Sequence, residues 1–340
     1  MKTDSPLKNP MIFRITTLTA SLLILLAGAV LLGLATGSTG VDIQTVWLWL
    51  TGQAPDGDLT VAIIERLRLP RVLMALFCGA VLSSGGLVFQ SLLGNPLAEP
   101  YILGISGGAA TGAILGILAG FSRIPGVSLT SFSGSMVTLA LVLLLSKGES
   151  RASRDAMLLS GVMVNAFCSA IIMFLISISE ENKLHDIMFW LMGDLSSAEM
   201  SQVKLVALLT LPCFAILFLF SHRMNLMLMG REMARAMGVS VKQTTLILLV
   251  TTSFMVSAMV CQSGLMGFVG LVVPHVLRLA LGSDHRILVP ATLVGGGAFM
   301  VVCDLLARWL PREGEIPVGV ITAIIGAPLF IVLLKRRAKL

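Results

Sequence analysis

Arginine and methionine are the residues of this sequence whose spacing invites chemistry, and the chemistry is recognition rather than bond breaking. Arg68 and Arg71 flank Pro70, and Arg308 follows Asp304 by four positions. A guanidinium is a planar fork that can hold a carboxylate at two points, so these arginines are candidate sockets for an acidic partner. Equally, they can be interfacial anchors, and Asp304 with Arg308 at i, i+4 can form an internal pair. A second cluster runs from Met229 to Gln243. Gly230 and Gly238 bracket a short charged helix in which Met229, Met233 and Met237 recur at i, i+4, i+8 while Arg231, Glu232 and Arg235 point elsewhere. Such a stripe fills a partner's groove; the alternative is a solvated loop between helices.

Other reactive constellations do not assemble. His185, His222, His275 and His285 are scattered without metal-ligand spacing. Cys78, Cys168, Cys213, Cys261 and Cys303 form no C-x-x-C pair and read as packing residues. The Gly104 to Gly116 tract has neither the lysine nor the preceding strand of a phosphate-binding loop, so Gly107, Gly108, Gly112 and Gly116 read as close-approach positions between helices. The chain is expected to be no enzyme, to bind no metal or other cofactor, and to leave any nucleotide hydrolysis to a companion.

The elements that must carry these residues lie in lipid. The 340 residues are 56% hydrophobic and 12% charged, with a mean hydropathy of +0.94, whereas a soluble surface needs roughly a quarter of residues charged. Apolar runs are continuous rather than alternating, which favours helices over a barrel. At about 20 residues per span the length accommodates about 8 to 10 helices. The sequence predicts an all-α polytopic membrane protein, one transmembrane domain over 1–340. Spans are expected at 15–36, 72–93, 101–120, 133–146, 156–179, 203–222, 244–263, 265–281, 288–307 and 318–334. The fourth is short and the eighth carries Pro274 and several glycines, so both are candidates for broken or re-entrant helices. Ile15 to Leu34 is too long for a secretory signal core and reads as an anchor. Most of the 24 basic residues fall on the side of both termini, which places the termini in the cytoplasm. Trp47, Trp49, Trp190 and Trp309 fall near the opposite interface. The +6 charge is dispersed among loops, a topology signal rather than a nucleic-acid patch.

Two proline-bounded blocks are more specific. The first joins Arg66-Leu67-Arg68-Leu69-Pro70-Arg71 to Asn95-Pro96-Leu97-Ala98-Glu99-Pro100 and Leu103-Gly104-Ile105-Ser106-Gly107-Gly108. The second joins Gly267 to Arg278, then Asp304 to Arg308, then Glu315-Ile316-Pro317-Val318-Gly319 through Pro328. In this order, with the Gly230 to Val239 segment between them, these strings resemble the FecCD-type permeases of ABC importers for cobalamin, ferric siderophores and haem. The likeness runs from about Arg66 to Phe330.

The resemblance implies ten helices per subunit and a homodimer with the pathway between the two copies. It also implies two cytoplasmic ABC ATPase subunits that use ATP and Mg, a periplasmic substrate-binding protein, and a bacterial inner-membrane location. By it, 230–239 is the coupling helix, with Gly230, Arg231, Glu232, Ala234, Arg235, Met237 and Gly238 at the ATPase. Arg68, Arg71 and Arg308 would receive the binding protein. Asn95 and Leu97, with Ser160 and Gly161, would form gates, although a plain connecting turn is the alternative for the first pair. The favoured cargo is a ferric siderophore, with cobalamin or haem next. An ion-coupled secondary transporter is the competing class, but it calls for intramembrane carboxylates, and Asp304 is the acid placed well inside a span.

Overall fold

The computed structural model describes residues 10–36, 43–54, 59–146, 151–311 and 314–337. Among these there is no β-strand. Helix α1 (Pro10–Ala35) is followed by a short α2 (Ile43–Leu50). Next, α3 (Leu59–Ile63), a π turn (Ile64–Arg68) and α4 (Leu69–Leu93) run as one apolar rod. Pro70 sits in the first turn of α4, where its missing N–H costs nothing, and Gly94 ends that helix at φ 62°. A 3₁₀ turn (Pro100–Leu103) leads into α5 (Ile105–Leu118), and a π turn (Arg123–Val127) leads into α6 (Ser128–Leu145). Then come α7 (Arg151–Ser177), α8 (Glu181–Met192), α9 (Met200–Leu228), α10 (Arg231–Ala236), α11 (Val241–Ser263), α12 (Val269–Leu281), α13 (His285–Trp309) and α14 (Val318–Arg337).

Seven of the helices described are long and apolar enough to cross a membrane, and three shorter apolar helices, Ile105–Leu118, Val269–Leu281 and Val318–Leu333, fall on the third, eighth and tenth expected spans. The fourth span is longer than expected, because the π turn extends it back to Arg123. The third begins later, at Ile105, after the 3₁₀ turn.

Burial is graded in the way a bilayer permits. Helix α4 is the hub, packed by α13, α12, α11 and α9, and Met74, Leu87 and Phe89 are fully enclosed. Helices α1 and α7 are peripheral and turn Ile24, Phe167 and Phe174 outward. In water such a surface would aggregate; against lipid tails it carries no penalty. Close approach within the bundle depends on glycine. At Gly79 a methyl group would overlap the Gly296 carbonyl of α13, and at Gly86 it would overlap that of Gly270 on α12. The Gly108 and Gly112 positions of α5 meet α6 backbone in the same way, and at Gly116 the methyl would meet the Thr130 side chain at 2.5 Å. The sequence reading of that tract as a packing stripe therefore holds.

Chain direction sorts the ends into two faces. On one lie the ends of α4, α9 and α12 and the start of α13, tied by Arg278 Nη2 donating to Gln90 Oε1 (3.1 Å) and Asn225 Nδ2 donating to Asp284 Oδ1 (2.6 Å). On the other lie the ends of α1, α5 and α13 and the starts of α4 and α6. Helix α13 runs from one face to the other.

Candidate functional site

The first face carries the short helix expected from its bracketing glycines. Gly230 (φ 106°) and Gly238 (φ 83°) both occupy backbone conformations that disfavour a side chain, which is what stops α9, frees α10 and releases α11. Met229, Met233 and Met237 are each at least half exposed, at 64%, 50% and 55%. Glu232 and Arg235 are exposed beside them, and Arg231 is half-buried. Ala234 is the exception among the expected contact residues. It is fully buried against Val239 and Val241, and so holds the helix onto its own chain instead of facing outward.

The segments expected to form gates lie on the same face. Asn95 Oδ1 accepts the Leu97 N–H at 2.9 Å, an Asx turn that reverses the chain after α4 and leaves Leu97 43% exposed. The turn continues into Pro100–Leu103, whose Ile102 carbonyl lies so close to Gly161 on α7 that a methyl there would overlap it. The two gate segments named from the sequence are thus joined through the 3₁₀ turn, with Ser160 half-buried alongside.

Within this turn Glu99 is half-buried, and burial pushes its carboxyl up to about 7. The folded chain therefore holds this proton more tightly than the unfolded chain. The associated stability is complete below the ordinary carboxylate range and is lost as pH rises through about 7. Thermal unfolding in detergent between about pH 5 and about pH 8 should show a midpoint that falls with pH, and Glu99→Gln should flatten that slope. Parallel slopes for the two proteins would mean that Glu99 is solvated.

On the opposite face the three arginines converge, but not as open sockets. Arg68 and Arg71 are only 5% and 6% exposed. Arg68 Nη1 donates to the Leu34 carbonyl at 2.6 Å, and Arg308 Nη1 donates to the carbonyls of Gly33 (3.1 Å) and Thr36 (2.9 Å). Both therefore close the last turn of α1, where carbonyls lack helical partners and the dipole favours a cation. Arg71 Nε donates to Asp304 Oδ1 at 2.7 Å and its Nη1 to Glu315 Oε2 at 2.6 Å, while Arg308 Nη2 lies 3.0 Å from Asp304 Oδ2. The guanidinium forks expected for a partner are occupied from within, because Asp304 is wholly buried and needs two cations to offset its desolvation. The internal Asp304–Arg308 pair was legible at i, i+4. The Glu315–Arg71 pair joins residues far apart in sequence and was not.

A bundle of membrane-length helices with apolar flanks, a short exposed helix on one face and a charge cluster on the other is the architecture of a polytopic membrane protein. The chain belongs to the FecCD transport family, whose model matches residues 23–336. It is 37% identical over 322 residues to the hemin transport system permease protein HmuU of Yersinia pestis, covering 93% of this chain and 94% of that one. It is 37% identical over 293 residues to the vitamin B12 import system permease protein BtuC of Klebsiella pneumoniae, covering 85% of each. A solved metal-chelate type ABC transporter in an inward-facing conformation matches 94% of this chain and 99% of its own at a TM-score of 0.83 and 34% identity.

Proposed function

We propose that this chain is the membrane subunit of an ATP-driven importer that moves a bulky metal chelate inward by alternating access. It works as a ten-span homodimer with both termini in the cytoplasm and the pathway between copies. Two cytoplasmic ABC ATPases that use ATP and Mg dock on α10, and a periplasmic substrate-binding protein delivers the cargo to the opposite face. A ferric siderophore is the favoured cargo, with cobalamin or haem next. In this reading Asn95, Leu97, Ser160 and Gly161 gate the path, and Arg68, Arg71 and Arg308 shape the receiving face from below instead of gripping the partner themselves.

The observation that carries the proposal is the exposed Met229–Met233–Met237 stripe on a short helix held to the bundle by Ala234. Unbranched methionines adapt to a partner's groove, and a rigid helix passes a push to the spans on either side. Ion coupling is disfavoured because Asp304, the fully buried acid among the described residues, is neutralised by two arginines. Co-expression with the companion ATPase tests the reading: Met233→Glu with Met237→Glu should abolish co-purification and leave the permease folded, because two carboxylates would have to be desolvated at the interface. Undiminished capture of the ATPase would rule out α10 as the docking element.

A further inference from the structure

On the face opposite α10 a cleft of about 560 Å³ opens between the end of α5, the turn at Arg123–Val127, and α8. Its lining shares no residue with the arginine cluster or with the segments expected to form gates. One wall is aromatic. His185 packs against Phe189 with the rings tilted by 35° and their centroids 4.4 Å apart, and Phe121, of the same lining, stands 53% exposed. The rest is charged, and the charges are unequally committed. Asp194 accepts the Ser196 N–H and hydroxyl, each at 2.8 Å, and closes the loop after α8. Arg123 reaches that same carboxylate only at 3.4 Å, with 45% of its side chain exposed, where a firm charge-assisted bond is about 2.7–2.9 Å. Lys183 Nζ donates once, to the Leu118 carbonyl at 2.9 Å, and an ammonium has three donors. Asp186, exposed at the edge, is the further acid of the lining and opposes them.

We propose that this cleft is an entry subsite for cargo and that it takes an anionic, ring-bearing metal chelate. The rings rest on the His185–Phe189 ledge, and carboxylate or catecholate oxygens take the spare donors of Arg123 and Lys183. This rests on the permease reading and narrows it, since a chelate without net charge gains nothing from the two cations. Binding is weak by construction. The donors are exposed and screened, so the subsite concentrates cargo at the mouth without trapping it.

Equilibrium dialysis of the purified full-length protein against iron(III) tris-catecholate, a trianion, and cyanocobalamin, which has no net charge, tests the assignment. Wild-type protein should retain the catecholate and lose it in high salt. Arg123→Ala with Lys183→Ala should weaken it by about ten-fold or more, and Arg123→Lys should keep most of it. Asp186→Asn, a surface change that does not threaten the fold, should tighten it. Equal binding of cyanocobalamin, no binding of the catecholate, or indifference to Asp186→Asn would each overturn the subsite. ATP-driven uptake by the reconstituted complex is scored separately. Uptake with an inert cleft defeats only the subsite, whereas a complex that imports no chelate defeats the permease reading.

Discussion

Asp304→Ala should lower the stability of the folded chain by about 3–5 kcal/mol, the cost of stranding buried charge when one partner of an enclosed ion pair is removed. The geometry makes this an unfavourable case. Arg71 and Arg308 each have 8% of their side chains exposed, and both lean on the same carboxylate, at 2.7 and 3.0 Å. Without it, Arg71 retains Glu315, but Arg308 is left with only carbonyl partners. Two like charges would then share a dry pocket at the junction of α1, α4 and α13. Thermal or denaturant unfolding in detergent micelles measures the loss. Combining Asp304→Ala with Arg308→Met should restore part of it, because the stranded cation is removed, and the cycle isolates the pair. Glu315→Gln is the control: that side chain is 43% exposed, so it should cost at most about 1 kcal/mol. A loss from Asp304→Ala no larger than that from Glu315→Gln would show that water reaches the cluster.

The same cluster shows what a sequence can and cannot reveal. Apolar runs locate lipid-embedded helices because length and hydropathy are local properties, and every expected span coincides with a helix. The α10 segment was equally legible, since Gly230, Gly238 and the methionine spacing all lie within a dozen residues. That the arginines expected as sockets are held from within was not legible, because what occupies a guanidinium is not local. Leu34 and Glu315 lie 34 and 244 positions from the arginines they serve. The burial of Ala234 was not legible for a related reason. On a helix this short its face is set by Val239 and Val241, residues of the following turn and helix. The cleft beside α8 was invisible, being assembled from α5, a π turn and α8, none of which carries a motif for it.

Gly79→Leu should prevent the folded chain from accumulating, and Gly79→Ala should already destabilise it by about 1–3 kcal/mol, the usual cost of overpacking. At this position α4 and α13 are in backbone contact, since an added Cβ would overlap the Gly296 carbonyl and lie 2.8 Å from Met300 Cβ. The helices cannot relieve that by rotating a side chain; they must move apart. One turn along, Ser83 Oγ donates to the Thr292 carbonyl at 2.7 Å, and a separation would break that bond too. The matched control is Gly28→Ala in α1, where nothing lies within 4 Å of the added methyl. Helix propensity alone operates there, and it favours alanine by about 1 kcal/mol. Expression level and detergent-resistant fluorescence of a fused reporter should therefore fall for Gly79→Ala, collapse for Gly79→Leu, and hold or rise for Gly28→Ala. The contrast also bears on transport. Helix α13 starts beside Asp284, which is gripped by Asn225 in the last turn of α9, just before that helix ends at Leu228 and gives way to α10. At its other end α13 carries Asp304. A pair of helices locked by glycine contact moves as one body, so a displacement at the α10 face reaches the arginine cluster without being absorbed between them. Tolerance of Gly79→Leu would mean that the two helices slide freely, and a push on one face would then stay there.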